Sequence, residues 1–256
     1  MDDMSTRRGF LAGGVLAAPL LLALAENPLG AGAAEPGRRM KILCVGAHPD
    51  DPESGCAGVL SRYAGVGHSV TVLYLTRGER GIRGKDLEEA GKIRTAESQQ
   101  ACRLLGAQPR YFGQIDGATE MTRAHVETMT QIFKEEHPDV LFTHWPVDSH
   151  LDHQVASLLT LQAWMALGQG AHLYFYEVNT GSQSQGFLPN TYVDITPVVD
   201  KKKAALFAHV SQDGKGIWRE HHEVIAQWRG REAGVAAAEA FVHLSRDSKI
   251  SKLPNT

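Results

Sequence analysis

The chain has 256 residues, of which 43% are hydrophobic, and its formal net charge is −3 at pH 7. This near balance of charge offers no basic surface for nucleic acid or for a broad membrane patch. Cys44, Cys56 and Cys102 are odd in number and lack CxxC spacing, which favours small buried side chains over a disulfide framework.

The N-terminus has the pattern of an export signal. Arg7 and Arg8 are followed by an apolar run over residues 11–25, which is too short for a comfortable membrane span. Small residues at 31–34 then suit signal peptidase, so the sequence predicts a twin-arginine signal peptide over residues 1–34. We expect the twin-arginine export machinery to deliver the protein to the periplasm or the cell exterior. The alternatives are an uncleaved anchor and a chance pair of arginines.

Residues 35–256 predict a single α/β domain with a mostly parallel sheet flanked by helices, because short apolar runs alternate with amphipathic stretches. In chain order, the predicted strands cover residues 41–46, 70–75, 110–112, 139–143, 173–178 and 192–195. The predicted helices cover residues 53–64, 87–105, 123–136, 151–167, 197–210 and 217–243.

Two predicted loops, over residues 76–86 and 179–190, each follow a strand. In open α/β sheets the site forms beyond the carboxyl ends of the strands, so we expect both loops to line it. The first loop carries four basic side chains, Arg77, Arg80, Arg83 and Lys85. These side chains either favour an anionic substrate at the mouth of the site or belong to a solvated loop.

A cluster of one imidazole and three carboxylates follows the first predicted strand. It consists of His48, Asp50, Asp51 and Glu53. A dinucleotide-binding chain would place GxGxxG at this point. Carboxylates this close repel one another unless a cation lies between them, and His and Asp supply ligands suited to zinc. The alternative is that the three acids only favour the positive N-terminus of the following helix.

A second cluster of His and Asp follows the strand predicted over residues 139–143. His150 and His153 are three residues apart, so they share one face of the next helix, whose N-cap would be Asp148 or Ser149. Two solvated first-turn residues are the alternative for this pair. We interpret His144, at the end of the strand, as hydrogen-bonded scaffolding. Both clusters are expected at the same sheet edge, which predicts a metal site there.

These clusters resemble the signature of the LmbE/PIG-L deacetylase family, an AHPDDxE segment followed by an HxDH segment. Here residues 47–53 and 150–153 match them. Segments at residues 76–79, 94–97, 209–212 and 238–241 also resemble the family's TxGE, RxxE, HxSQ and AEAF segments. The resemblance covers nearly all of the chain after the predicted signal. It implies a Rossmann-like, LmbE-like fold and a zinc-dependent hydrolase that removes an N-acetyl group from an amino sugar or glycoconjugate, as an N-acetylglucosaminyl deacetylase does.

Carried over by position, the resemblance also implies which residues bind the metal. His48, Asp51 and His153 would bind Zn²⁺, with Fe²⁺ as the alternative ion. Asp50 would be the general base that activates water. Zinc polarises an amide carbonyl and lowers the pKa of bound water, and a neighbouring carboxylate can then collect the proton.

The remaining site residues come from the same resemblance. His150 would stabilise the developing oxyanion or protonate the leaving amine, with Asp152 as its orienting partner. Arg94 and Asp116 would hold the substrate.

Two other functions stay open. One is a metal-dependent amidase or esterase that cleaves a larger acyl conjugate, and the other is a non-catalytic sugar-binding module of the same fold. The presence of both Asp50 and His150 argues against the module. The expected partner is an N-acetylated small molecule or glycan, not nucleic acid. The sequence leaves a homo-oligomer open.

Overall fold

The computed structural model describes residues 38–244. The export signal predicted over residues 1–34 lies outside the described residues and stays a prediction. Among residues 38–244, no helix combines the length and the apolar character needed to cross a membrane.

Seven strands form a single sheet. In chain order they are β1 (Lys41–Gly46), β2 (Ser69–Tyr74), β3 (Gln108–Tyr111), β4 (Val140–His144), β5 (His172–Tyr176), β6 (Thr191–Asp194) and β7 (Ala238–Leu244). Their order across the sheet is β3-β2-β1-β4-β5-β7-β6. The strands from β3 to β5 are parallel, whereas β7 runs antiparallel to both β5 and β6. The predicted α/β class with a mostly parallel sheet is confirmed.

Helices cover both faces of this sheet. They are α1 (Asp51–Gly65), α2 (Leu87–Leu105), α3 (Arg123–Glu136), α4 (Leu151–Ala166), α5 (Val199–Phe207), α6 (Gly214–Ile217) and α7 (Glu223–Ala233). The position of β1 between these helices explains why its sequence is almost wholly apolar. Ile42 and Cys44 pack into the core beneath α1 and α2, while Leu43 and Val45 pack into the core beneath α3 and α4. Successive side chains of a strand point to opposite faces, so a sheet covered on both sides needs apolar residues throughout.

The helix predicted over residues 217–243 is wrong in its second half. A π-helical turn, Trp218–His222, leads into α7, and Gly234 then ends the helix with a φ of 75°. Residues 236–240 are mostly alanine and have high helix propensity, yet the last three of them begin β7. Pairing of β7 with β5 and β6 buries its first four residues, and this tertiary contact overrides the local preference.

Smaller differences occur elsewhere. The helix predicted over residues 197–210 is shorter, because α5 lies between two 3-10 turns, Thr196–Val198 and Val210–Gln212. The cysteines are free and buried, as predicted.

The connections of β1 and β4 create a crevice at one edge of the sheet. The two strands are neighbours, but α1 leaves β1 towards one face and α4 leaves β4 towards the other. A ligand site is expected at such a switch point, beyond the carboxyl ends of the strands. Both clusters of His and Asp lie there.

Candidate active site

A cavity of about 350 Å³ opens at this switch point. It is lined by His48, Asp50, Asp51, Ser54, Arg80, Gly81, Arg94, Asp116, His150, His153, Val178, Asn179, Gln183, Gln212 and Ile217. The lining includes residues of both predicted loops, 76–86 and 179–190. Seven of the eight predicted site residues line the cavity; Asp152 lies behind it.

Three buried side chains bring potential metal ligands together. His48 Nδ1 lies 3.1 Å from Asp51 Oδ2, and His153 Nε2 lies 3.4 Å from Asp51 Oδ1. One ligand atom from each of the three residues falls within 4.8 Å of the others. Two imidazole nitrogens and one carboxylate oxygen form the kind of three-ligand set that catalytic metal sites use, with positions left for water and substrate. His48, Asp51 and His153, called the ligand group, therefore fit a divalent cation.

The charges in this group reinforce one another. Burial alone would lower the pKa of His153, but Asp51 and Asp148 outweigh it and raise that pKa to about 9. Burial alone would raise the pKa of Asp51, but the imidazoles of His153 and His48 hold it well below its usual range. The Asp51 carboxylate is therefore stabilised by positive charge, which a bound cation would supply in place of the imidazole protons.

His153 has a carboxylate partner that the sequence did not identify. Its Nδ1 lies 3.1 Å from Asp148 Oδ1, on the side of the ring away from Asp51. Asp148 also accepts hydrogen bonds from the His150 amide, at 2.8 Å, and from the Ser184 hydroxyl, at 3.1 Å. A carboxylate on the far nitrogen of a ligating imidazole fixes the ring and its tautomer. The N-cap of α4 is His150, not Asp148 or Ser149 as predicted.

His144 is scaffolding, as its position at the strand end suggested. Its Nε2 accepts a hydrogen bond of 3.0 Å from the Ala47 amide and lies 3.3 Å from Asp51 Oδ2. Burial, helped by the neighbouring His153, lowers the pKa of His144 to about 4. This neutral ring ties the end of β4 to the segment after β1.

Asp50 lies beside the ligand group but is held separately. It adopts a φ of 112°, a conformation that L-residues rarely occupy and that tends to occur at functional sites. Its amide donates to Glu53 Oε2 at 3.2 Å, and its Oδ2 lies 3.2 Å from Arg94 Nη2. Arg94 also donates to the Pro49 carbonyl. Arg94 was predicted to hold substrate; although it lines the cavity, its contacts place it against Asp50.

Glu53 anchors this arrangement from within the protein. It is fully buried, and its Oε1 accepts a 2.5 Å hydrogen bond from the Tyr74 hydroxyl. The Nε2 of His209, from the segment after α5, lies 3.5 Å from the same oxygen. Burial alone would lower the pKa of His209, but Glu53 and Asp50 raise it. Glu53 thus connects the start of α1 to β2 and to the C-terminal part of the sequence.

Asp152 was predicted to orient His150, and the structure corrects this. The Asp152 carboxylate accepts from the Thr119 hydroxyl at 2.6 Å and from the Gly117 amide at 2.7 Å, and it lies 3.0 Å from His48 Nε2. It is the backbone amide of Asp152 that donates to His150 Nδ1, at 3.2 Å. In a neutral ring that bond leaves the proton of His150 on Nε2.

Asp116 lies on the cavity wall after β3, as predicted. Its Oδ1 is 3.3 Å from His48 Nε2, and its Oδ2 accepts a 3.1 Å hydrogen bond from the Arg80 amide. Asp116 therefore contacts both His48 and the loop at the cavity mouth.

Similarity to known proteins agrees with this geometry. Residues 43–164, which contain both His/Asp clusters, match the sequence profile of the PIG-L family, described as GlcNAc-PI de-N-acetylase. A relative named uncharacterized deacetylase YaiS, from Escherichia coli K12, is 30% identical over 188 residues, which cover 68% of this chain and 92% of the relative. The chain belongs to the PIG-L family.

Similar proteins bear two kinds of name. The diacetylchitobiose deacetylase of Thermococcus kodakarensis is 28% identical over 219 residues, covering 78% of this chain and 82% of the relative. The 4-oxalmesaconate hydratase of Pseudomonas putida is 27% identical over 225 residues, covering 78% and 85%. The solved N,N'-diacetylchitobiose deacetylase of Pyrococcus horikoshii superposes with a TM-score of 0.71 at 26% identity, covering 80% and 84%. PIG-L family membership and the LmbE-like fold are thus shown, and deacetylation is the activity most often named.

Proposed function

We propose that this PIG-L family protein is a metal-dependent N-deacetylase that hydrolyses the acetamide of an N-acetylated amino sugar or glycoconjugate. One observation carries the proposal: Asp50, a carboxylate held by Arg94, lines the same cavity as the His48–Asp51–His153 group. The cavity holds both a place for a Lewis acid and a proton acceptor outside the ligand set. The names of the Thermococcus and Pyrococcus relatives support the choice of an N-acetylated sugar.

Zn²⁺ is the metal that we propose, with Fe²⁺ as the alternative. His48, Asp51 and His153 would hold it. When bound, zinc polarises the amide carbonyl and lowers the pKa of the attacking water to ~7.

Asp50 and His150 would have separate roles in the reaction. Asp50 accepts the proton of the water whose oxygen attacks the carbonyl carbon. His150 donates a hydrogen bond from Nε2 to the oxyanion that develops. The carbon–nitrogen bond breaks, and the proton collected by Asp50 is delivered to the departing nitrogen. The products are acetate and a free amine.

The cavity suits a sugar in size and in chemistry. Its volume of about 350 Å³ lies at the lower end of small-molecule sites. Asn179, Gln183 and Gln212 add amide groups to its lining, which can donate to and accept from hydroxyl groups. A larger acyl conjugate is the competing substrate for an amidase or esterase at the same site.

The test is a substrate screen of purified, zinc-loaded protein. The panel contains N-acetylglucosamine, diacetylchitobiose, their N-butanoyl analogues and an unsaturated dicarboxylic acid, with amine and acetate both quantified. The proposal predicts equimolar amine and acetate from the acetylated sugars. Faster cleavage of the longer acyl groups would favour the amidase, and hydration of the acid without amine release would overturn the proposal.

We also propose export through the twin-arginine pathway, which rests on Arg7 and Arg8 ahead of an apolar run. The three free, buried cysteines are compatible with folding in a reducing compartment before export. Replacing both arginines with lysine should keep the precursor inside the cell, and replacing Arg38 and Arg39 with lysine is the matched control. Export of the Arg7→Lys, Arg8→Lys variant at the normal rate would contradict the proposal.

A further inference from the structure

The four basic side chains of the loop at residues 76–86 differ in their ion pairs and in whether they line the cavity. Arg77 lies 3.2 Å from Glu79 and 3.3 Å from Glu88, and Lys85 pairs with Glu89. Their charges are already matched by acidic partners. Arg83 is exposed and does not line the cavity. Arg80 is the basic residue of this loop that does.

A backbone hydrogen bond holds Arg80 in place, whereas its guanidinium has no countercharge among the described residues. Its amide donates to Asp116 Oδ2 at 3.1 Å, which ties the residue to the cavity wall. Its side chain passes over Gly117, where an added Cβ would lie 3.5 Å from both Cδ and Nη1 of Arg80. Within residues 38–244, the guanidinium has neither an acidic partner nor a hydrogen-bond acceptor.

The other charged groups of the cavity are all paired. Asp50 faces Arg94, and Asp51 lies among the imidazoles of the ligand group. Asp116 lies against His48. Of the charged side chains that line the cavity in the described part of the chain, Arg80 alone lacks a countercharge. A guanidinium presents a planar fork of donors that matches a carboxylate or a phosphate.

We propose that Arg80 forms an anion subsite at the mouth of the cavity, so that the preferred substrate is an N-acetylated amino sugar bearing a carboxylate or a phosphate. This inference rests on the proposed deacetylase function. It assigns Arg80 a role in substrate choice, whereas Asp50 and the ligand group act on the acetamide.

The test compares anionic and neutral substrates in three proteins: wild type, Arg80→Gln and the matched control Arg83→Gln. N-acetylglucosamine is the neutral substrate, N-acetylglucosamine 6-phosphate carries a phosphate, and N-acetylmuramic acid carries a carboxylate. For the wild type and Arg83→Gln we expect kcat/KM to be about tenfold higher for at least one anionic substrate, as one charge-assisted hydrogen bond would give. Arg80→Gln should bring that ratio close to one, mainly through KM. The wild-type preference should also shrink as ionic strength rises.

A binding measurement keeps this inference separate from the activity itself. Calorimetry on the zinc-loaded proteins compares glucosamine 6-phosphate with glucosamine and needs no turnover. If no substrate releases amine, the proposed function fails, yet tighter binding of the phosphate that Arg80→Gln abolishes would still support the subsite. If the wild type prefers the neutral ligands, or if Arg80→Gln keeps the wild-type ratio in both experiments, the subsite is wrong.

Discussion

Arg94 Nη2 lies 3.2 Å from Asp50 Oδ2, and Arg94 is 3% exposed. Two glycines of the loop after β2 cover the guanidinium. A Cβ at Gly78 or at Gly81 would lie 2.3 Å from Arg94 Nη1, so a side chain at either position would displace the guanidinium. Helix α2 and this loop thereby hold the carboxylate that we propose as the base. Arg94 is a positioning residue in this account.

Replacing Arg94 with methionine should lower kcat by roughly 10–100-fold, because a misplaced base loses transition-state geometry. KM should change little and the metal content should stay the same, since the ligand group is intact. Arg103→Met, at an exposed position of the same helix, is the matched control. A higher KM with an unchanged kcat would instead assign Arg94 to substrate binding.

Asp148 should affect metal binding although it is not a ligand. The change Asp148→Asn removes the charge behind His153 Nδ1 and should weaken zinc affinity by about 10–100-fold. Competition with a chromogenic chelator measures this affinity. Ser149→Ala, at the neighbouring exposed position, controls for disturbance of the loop. Equal affinities for Asp148→Asn and Ser149→Ala would mean that the carboxylate does not support the ligand.

A buried ion pair connects α5 to β7, and both of its residues also contact the backbone of α1. Lys202 Nζ lies 2.6 Å from both Glu239 Oε1 and the Ser54 carbonyl oxygen, and Glu239 accepts from the amides of Gly58 and Val59 at 2.8 Å each. Lys202→Met leaves the glutamate charge buried without its cation, which should reduce the free energy of unfolding by about 3–5 kcal/mol.

The matched variant for this pair is Lys202→Met combined with Glu239→Gln. It removes both charges, so it should recover much of the lost stability. Urea denaturation of the zinc-saturated proteins measures the three free energies. A loss of less than ~1 kcal/mol for the single variant would show that the pair is dispensable.

Features that depend on a local sequence pattern could be predicted, whereas features that depend on contacts between distant segments could not. The segments around His48 and His153 were predictable because each follows an apolar strand, and parallel strands bring their carboxyl ends to one edge. Asp148 was considered only as a helix cap, since its contact with His153 depends on how the loop turns before α4. Strand β7 was missed because its start is rich in alanine and its pairing partners are distant in sequence.

The buried contacts that support the site could not be predicted from local sequence patterns either. Glu53 was assigned to the first turn of α1, but its contacts with Tyr74 and His209 join segments 21 and 156 residues further along the chain. Asp152 follows the same pattern, since its partners Thr119 and Gly117 lie in the loop after β3. No spacing rule connects such pairs.

The most direct test of the account is the metal content and kcat of Asp50→Asn and Asp51→Asn, measured on the same preparations. Asp50→Asn should keep its zinc and lose about 10²–10⁴-fold in kcat, because it removes the proton acceptor but no ligand. Asp51→Asn should lose zinc, because it replaces the charged ligand of a three-ligand site. Zinc loss in Asp50→Asn with retention in Asp51→Asn would reverse the two roles. If both variants keep zinc and full activity, the site and the proposed deacetylase mechanism are wrong.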